Sequence, residues 1–396
     1  RQRQMCIRDS IRRRKKVPGN LSTLKKKAKY VVTEVGPSTL TRRVSEFCLK
    51  KSLKGLGFKD FTMHLVDHHR CHAATAAFCS GFDQALVITL DGIGDALSGT
   101  ISTLSEKQLT CITDISGKHS LGIFFEHVTN LMNMRELEDE GKVMALANYA
   151  YPIADDKNPL FDFIEIKGLN VLCKYSTLRM YDELKKILWS YPSEQFAYMA
   201  QRTLEVKIVE LVKNAIAATG YTRLALAGGV FSNIKVNMLL RTLPEVKDCF
   251  VFPHMGDGGL ALGAALAANY ELQGITSYPL DNVFLGVNYS EDEIRTALDG
   301  SGFEYSYHDT IEDKAAQLIA EGHIIFWFQG RMEYGPRSLG HRSILALPNS
   351  KRIRDLLNLR LKRRVWYQPF CPTMLEEDAR ECLENYDRPN RFMTMG

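Results

Sequence analysis

The sequence predicts an α/β fold over most of the chain, followed by a second, smaller domain. From residue 194 to residue 270, apolar strand-like runs, glycine turns and helix-like segments alternate, which is typical of α/β layer architectures. Near residues 277–285 this pattern resets, and a new series of elements continues to Gly396. A chain of 396 residues is long enough for two cores. We therefore expect one domain at residues 30–276 and another at residues 277–396.

Hydrophobic periodicity predicts the elements before residue 150. An amphipathic helix and a short strand lead into a helix that begins near His68 and runs through a series of alanines. A buried strand, a two-stranded hairpin and two helices follow. The predicted bounds are 44–56 for the first helix, 61–66 for the short strand, 85–90 for the buried strand, 97–104 and 108–114 for the hairpin, and 121–134 and 141–149 for the two later helices.

The later elements follow from the same patterns. Residues 151–180 have weak periodicity and are predicted to be an insertion. Beyond them the pattern predicts a long helix ending at Gly220, a strand and two helices, and then a helix and a strand of the second domain. The predicted bounds are 194–219 for the long helix, 223–227 for the strand, and 231–241 and 261–268 for the two helices. In the second domain they are 311–321 for the helix and 324–328 for the strand.

Charge and cysteine content limit the class of protein. Basic residues of this chain, whose net charge is +5, are concentrated near the N-terminus. No nucleic-acid module accompanies them, so no nucleic-acid partner is predicted. Residues 1–29 are interpreted as a solvated basic arm. Within it, residues 1–10 are interpreted as a non-native scar. No apolar run could span a bilayer. Nine scattered cysteines without Cys-x-x-Cys spacing favour a cytoplasmic protein.

Four side chains predict a divalent-metal site. His68 and His72 are four residues apart, so on a helix their imidazoles share one face. Asp91 ends an apolar strand-like run, and Asp257 lies in a glycine loop that enters a helix. Each motif alone is more typical of a capping residue or a turn. Together they offer a donor set that suits Fe(II), Mn(II) or Zn(II) without distinguishing among these ions.

Two glycine loops predict a nucleotide site. Gly228 and Gly229 follow a strand and open a helix near Asn233, where backbone amides can face a phosphate or ribose. Most Gly-Gly pairs are simply tight turns. One strand–helix unit later, Gly256 and Gly258 form a second loop, and the pair of loops resembles the nucleotide cleft of actin-like ATPases.

An arginine-rich segment predicts an anion site. Arg331, Arg337 and Arg342 stand among Gly-Pro and Leu-Gly turns, directly after an apolar strand. Arginines on rigid turns can bind a phosphate or carboxylate bidentately. The alternative, an exposed basic loop, does not account for the strand and the turn residues. Lys362 and Arg364 belong to a second cationic segment that can close on the same anion.

Several motifs in order resemble the O-carbamoyltransferases of nodulation-factor and antibiotic biosynthesis. They lie at residues 67–74, 91–95, 140–146, 256–263 and 329–348. The resemblance implies an actin-like ATPase (RNase H-like) domain followed by a YrdC-like α+β domain. It further implies that ATP and carbamoyl phosphate form carbamoyladenylate in the second domain, and that the carbamoyl group passes to a hydroxyl of a small-molecule or glycan acceptor in the first.

The same resemblance assigns residues to roles. His68, His72, Asp91 and Asp257 match the metal ligands. Part of the nucleotide-binding loop is matched by Gly228, Gly229 and Asn233. Carbamoyl-phosphate contacts are matched by Arg337 and Lys362, with Arg331, Arg342 and Arg364 as their neighbours. Two other functions stay open from the residues alone, a tRNA threonylcarbamoyl-transfer protein and a non-catalytic nucleotide-binding module.

The resemblance also implies a fragment truncated at both ends. Nothing before Phe61 matches the family's opening strands, and the family's second domain continues beyond the position that Gly396 occupies. We expect such a fragment to expose a strand edge, to be poorly stable and to be inactive in carbamoyl transfer by itself.

Overall fold

The computed structural model describes residues 39–384, 386 and 388–396. The predicted basic arm at residues 1–29, including the predicted scar at residues 1–10, lies outside this range, as do residues 30–38 of the predicted first domain. Within the described residues, no helix has both the length and the apolar character needed to span a membrane.

The described chain contains twelve α-helices and nine strands. In chain order the helices are α1 (Thr39–Gly55), α2 (His68–Cys79), α3 (Leu121–Leu131), α4 (Glu140–Leu146), α5 (Thr177–Leu188), α6 (Ser193–Thr219), α7 (Ile234–Arg241), α8 (Leu260–Gln273), α9 (Glu291–Asp299), α10 (Ile311–Ala320), α11 (Lys351–Asp355) and α12 (Glu376–Cys382). The strands are β1 (Ala85–Gly94), β2 (Leu97–Ser105), β3 (Gln108–Ser116), β4 (Ile164–Lys167), β5 (Asn170–Cys173), β6 (Arg223–Ala227), β7 (Asp248–Val251), β8 (Ile325–Phe328) and β9 (Arg342–Leu345).

A five-stranded sheet forms the centre of the fold, in the order β3-β2-β1-β6-β7. β1, β2 and β3 form an antiparallel meander, whereas β6 pairs with β1 and with β7 in parallel. Parallel pairing needs a crossover, and here the segment between β1 and β6 and helix α7 supply the connections. The parallel pairing places the ends of β1 and β6 side by side.

Helices cover both faces of this sheet, which gives three layers. Leu86 and Ile88 of β1 point into the larger core with α3 and α6, while Ala85 and Val87 point into a smaller core with α2 and α8. Both sets are fully buried, as expected for a central strand with helices on each face. The predicted α/β layer architecture is therefore confirmed.

Gly263 permits the close contact between α8 and α2. A Cβ atom at Gly263 would lie 2.2 Å from the carbonyl oxygen of Cys71. We predict that Gly263→Ala destabilises the chain by about 1–3 kcal/mol, the usual cost of overpacking, measured by urea unfolding. Gly141→Ala, which places its methyl group in open space on α4, is the control. Equal stability of the two variants would contradict the close approach of the helices.

The predicted strand at residues 61–66 is wrong. These residues have an alternating apolar pattern, but among the described strands none pairs with them. Leu65 is half exposed, and the segment is an extended connection between α1 and α2. Alternation predicts a strand only where a partner strand is available.

Residues 151–180, predicted to be an insertion, form part of the larger core. The hairpin of β4 and β5 and the start of α5 lie here, and Leu160, Phe163 and Met180 are buried against the core. Elements of only a few residues follow one another in this segment, so no window is long enough to show a period.

The C-terminal region contains the β8–β9 hairpin, the short helices after it and a π-helix at Leu356–Leu361. The chain then returns to the first core. The Asn237 side chain donates to the Thr394 carbonyl oxygen at 2.7 Å, and Met395 packs into the larger core. The regions on either side of residue 277 are therefore in direct contact.

Candidate metal centre

Four side chains that are distant in sequence meet at the end of β1. Helix α2 presents His68 and His72 on one face, Asp91 lies in the final third of β1, and a 3-10 turn at Asp257–Gly259 presents Asp257 just before α8. One ligand atom from each residue lies within 4.8 Å of the others. The structure thus brings together all four residues that the sequence predicts as metal ligands.

The distances within this group resemble those between ligands of a single ion. Asp91 Oδ2 lies 3.0 Å from His68 Nε2 and 3.2 Å from His72 Nε2. Asp257 Oδ1 lies 3.6 Å from His68 Nε2 and 3.9 Å from His72 Nε2. Bonds of about 2.0–2.2 Å around a tetrahedral ion place neighbouring donors about 3.3–3.6 Å apart. The two imidazoles and two carboxylates therefore fit a divalent cation with little movement.

Backbone contacts hold the central carboxylate in place. Asp91 Oδ1 accepts the N–H of Gly229 at 3.1 Å, and the Ser120 hydroxyl donates to the Asp91 carbonyl oxygen at 3.0 Å. On the other side, the backbone N–H of His68 donates to Asp95 Oδ2 at 2.8 Å, which fixes the start of α2. Such supporting contacts orient metal ligands.

The charges of the four groups are strongly coupled. Burial opposes ionisation of Asp91, but hydrogen bonds with His68 and His72 hold its pKa well below 3.8. Burial alone would lower the pKa of His68, yet the hydrogen bond and charge of Asp91 raise it above 6.5. Burial and the charge of Asp91 raise the pKa of Asp257. Two carboxylates in such proximity repel each other, and a divalent cation between them would remove that cost.

A third histidine of α2 has a structural role. His69 is buried and contacts the Thr89 hydroxyl through Nδ1 at 2.8 Å and the Leu97 carbonyl through Nε2 at 3.2 Å. Burial and the neighbouring imidazole of His68 lower the pKa of His69 to about 3. His69 is therefore neutral, and its hydrogen bonds attach α2 to the sheet.

Gly94 supports the site although it is not among the predicted site residues. A Cβ atom at Gly94 would lie 2.2 Å from the ring of His68, so only glycine allows the imidazole to lie this close to β1. The signal in the sequence is the second glycine of Asp91-Gly92-Ile93-Gly94-Asp95, placed where the histidine helix crosses the strand.

We predict that Gly94→Ala weakens Mn(II) binding about 10- to 100-fold, the usual effect of disturbing the residues that support a metal ligand. The added methyl group displaces His68. Gly92→Ala is a matched control on the same strand, because its methyl group would meet only Ile123 at 3.9 Å. Calorimetric titration of both variants checks this, and equal affinities would show that His68 does not depend on Gly94.

The residues of the predicted nucleotide loop contact β1 and the helices around it. A Cβ atom at Gly228, where φ is +104°, would lie 2.1 Å from the Leu90 carbonyl oxygen, so this glycine allows β6 to approach β1 closely. The Gly229 amide faces Asp91. Asn233 is buried, accepts the Val236 N–H as the N-cap of α7, and exchanges hydrogen bonds with Gln201. These residues position the candidate ligand Asp91 and helix α7.

The second glycine loop is in contact with the arginine-rich segment. A Cβ atom at Gly258 would meet the His254 ring at 2.1 Å, whereas Gly256 faces open space. The Tyr334 ring packs edge-on against His254 with centroids 5.0 Å apart, and the Tyr334 hydroxyl donates to the Gly258 carbonyl oxygen at 3.3 Å. The turn that presents Asp257 is therefore attached to the arginine-rich segment.

The five predicted anion-binding cations fall into two groups. Arg331 donates to the Gly286 carbonyl oxygen at 2.7 Å, and Arg342 pairs with Glu333 at 2.8 Å, so both guanidinium groups have protein partners. In the second group, burial lowers the pKa of each member. Its members are Arg337, Lys362 and Arg364.

Arg337 has the most informative environment of these cations. Its Nε atom is buried without a hydrogen-bond partner among the described residues. A buried guanidinium nitrogen without a partner is unfavourable, which makes it a candidate donor to an anion. Arg364 Nε, by contrast, donates to Asn358 at 2.7 Å, and its guanidinium lies 4.6 Å from the Phe370 ring centroid.

Two family models match this chain. Carbamoyltransferase N-terminus matches residues 14–266, which include the four candidate ligands, and Carbamoyltransferase C-terminus matches residues 316–396, which include the five cations. Together they span the two regions on either side of residue 277.

Curated relatives have similar sequences over most of the chain. Nodulation protein NolNO of Sinorhizobium fredii is 33% identical over 87% of the chain and 53% of its own length. Nodulation protein NolO of Bradyrhizobium diazoefficiens is 34% identical over 81% and 60%. An uncharacterized protein of Methanocaldococcus jannaschii, MJ1058, is 33% identical over 88% and 61%. The chain spans less than two thirds of the length of these relatives.

Solved structures give a weaker match. HypF of T. kodakarensis aligns with a TM-score of 0.37 and 16% identity, covering 57% of this chain and 39% of that one. Full-length HypF in a phosphate- and nucleotide-bound form aligns with a TM-score of 0.35 and 16% identity, covering 56% and 45%. Alignments at these TM-scores do not establish a common fold.

Proposed function

The chain belongs to the carbamoyltransferase family, and from this membership we propose that it acts in ATP-dependent transfer of a carbamoyl group from carbamoyl phosphate to a hydroxyl group. The observation that supports this most strongly is the convergence of His68, His72, Asp91 and Asp257 in the region matched by the N-terminal family model.

The four residues would hold a divalent metal ion, Fe(II), Mn(II) or Zn(II). When bound, the ion supplies a Lewis acid that stabilises negative charge developing on the carbamoyl oxygen. The chain's own residues shape the site. The two imidazoles are buried, whereas 54% of the Asp257 side chain is exposed, so the site is open on the side of Asp257.

We place the activation of the donor at the second group of cations. Carbamoyl phosphate, water and ATP would give carbamoyladenylate, phosphate and pyrophosphate. Arg337 Nε has no hydrogen-bond partner among the described residues, which supports capture of the anionic donor, with Lys362 and Arg364 as further cations. The acceptor hydroxyl oxygen would then attack the carbamoyl carbon, and AMP would leave.

The fold supports the more specific domain assignment. An antiparallel meander that is followed by two parallel crossover strands fits an RNase H-like unit of an actin-like domain. We assign residues 30–276 to that domain and residues 277–396 to a YrdC-like domain, in which the β8–β9 hairpin carries the arginine-rich segment.

A small-molecule or glycan acceptor completes the proposal. A cavity of about 450 Å³ adjoins His68 and is lined by Asp95, Thr100 and Ser102 among others, which offers hydrogen-bonding groups to a polyhydroxylated molecule. We propose a cytoplasmic location, which the free thiols of the eight cysteines in the described residues support.

The test is pyrophosphate release by a full-length protein that contains this chain, with ATP, carbamoyl phosphate and each of the three metals in turn. The proposal expects release that depends on carbamoyl phosphate, and labelled carbamoyl groups on a polyol acceptor. Pyrophosphate release that does not depend on carbamoyl phosphate, or threonylcarbamoyl transfer to tRNA instead, would overturn the proposal. So would nucleotide binding without any turnover.

A further inference from the structure

Glu333 is a buried acid within the arginine-rich segment. Its side chain is completely inaccessible to solvent. Oε1 accepts three backbone N–H groups, from Leu339 at 2.7 Å, His341 at 2.9 Å and Arg342 at 3.1 Å. Oε2 accepts Arg342 Nε at 2.8 Å, and Arg342 Nη2 donates to the Glu333 carbonyl oxygen at 2.9 Å. One carboxylate thus satisfies four donors.

These hydrogen bonds close a loop around Arg337. Residues 333 and 339–342 are the two ends of the loop, and the Glu333 side chain joins them. Between them lie Gly335, with φ of +113°, Pro336 and Arg337. Without the carboxylate, three partly buried backbone N–H groups would lose their acceptor, which is unfavourable.

The base of the loop is fixed against a neighbouring segment. The Tyr334 N–H donates to the Val283 carbonyl oxygen at 2.6 Å, and the Gly286 N–H donates to the Met332 carbonyl oxygen at 2.9 Å. The His341 ring stacks on Phe284 with centroids 3.7 Å apart. The Glu333 carboxylate therefore ties the far end of the loop to a fixed base, and its hydrogen bonds set the path of residues 334–338.

The charge state of Glu333 suits this role. Burial opposes ionisation, but the Arg342 guanidinium and the backbone N–H groups lower the pKa of Glu333 to about 2. The carboxylate is ionised at neutral pH. Its negative charge is paired with the positive charge of Arg342. Arg337 is the other cation of the loop, and its Nε atom has no partner among the described residues.

We propose that Glu333 is a positioning residue that holds Arg337 toward an anionic phosphate-containing ligand. The proposal rests on the proposed function, in which Arg337 binds the donor phosphate. Glu333 itself does not touch the ligand. It acts by fixing the loop, so its effect on binding should require the Arg337 side chain.

The test is a double-mutant cycle with inorganic phosphate as the probe, measured by calorimetric titration of the full chain. Glu333→Gln is the main variant, because an amide can keep one oxygen toward the backbone but turns an N–H toward Arg342. We expect it to weaken phosphate binding about tenfold, which corresponds to about 1.4 kcal/mol. In an Arg337→Ala background, Glu333→Gln should cause no further loss.

Glu333→Asp keeps the charge but shortens its reach, and it serves as the second variant should Glu333→Gln fail to fold. Glu304→Gln, on an exposed loop, is the control. Unchanged affinity in Glu333 variants, equal losses with and without Arg337, or no phosphate binding by the parent chain would each overturn the proposal. If the cycle gives the expected result while carbamoyl transfer is absent, only the proposed function fails.

Discussion

Replacing Asp91 with alanine is expected to abolish stoichiometric binding of a divalent metal. Asp91 Oδ2 is within 3.2 Å of both imidazoles, and its Oδ1 is held by the Gly229 amide, so it is the central donor of the site. Loss of residues that only support a ligand lowers affinity about 10- to 100-fold, and loss of a ligand should exceed that range. Titration with Mn(II) and metal analysis after dialysis measure the effect.

The control for this experiment is Asp156→Ala, which removes an exposed carboxylate outside the site. Circular dichroism should show that both variants keep their helices. Asp91→Asn keeps the size of the side chain and is expected to lose metal as well, because the amide lacks the negative charge. Retention of one tightly bound ion by Asp91→Ala would show that the ion binds elsewhere.

The second large effect, on the rate of pyrophosphate release, is expected for Arg337→Ala. Its buried Nε atom has no partner among the described residues, and in our proposal it binds the donor phosphate. Removing one preorganised donor to developing charge costs about 10²–10³ in rate. We therefore expect carbamoyl-phosphate-dependent pyrophosphate release to fall at least about 100-fold, with no change in bound metal.

Arg352→Ala, which removes an exposed arginine of α11, is the matched control and should leave pyrophosphate release unchanged. Separate assays of metal content and nucleotide reaction distinguish the two sites. If Arg337→Ala loses metal instead, through the contact of Tyr334 with the turn that presents Asp257, the residue has a structural role.

The convergence of the four candidate ligands could be predicted because these residues stand at special positions of regular elements. Helical spacing places His68 and His72 together, and strand periodicity marks Asp91 as the end of an apolar run in β1. A glycine loop before a helix marks Asp257. These are local patterns, and the parallel pairing of β1 with β6 then brings the distant parts together.

The contacts of single backbone groups could not be predicted in the same way. Gly229 follows a strand and precedes a helix, a pattern that is also typical of phosphate loops, and only the folded chain shows its amide facing Asp91. Glu333 stands among arginines, and its hydrogen bonds to residues 339–342 depend on the path of the loop. The strand predicted at residues 61–66 failed for the same reason, since pairing is not a local property.

The most direct test of the metal centre is anomalous diffraction from crystals of the chain loaded with Mn(II) or Zn(II). We expect one strong peak bonded to His68 Nε2, His72 Nε2 and the carboxylates of Asp91 and Asp257, at distances of about 2.0–2.2 Å from the nitrogen and oxygen atoms. A peak bound by other residues, or loaded crystals in which the two imidazoles turn away from Asp91 and Asp257, would contradict the account.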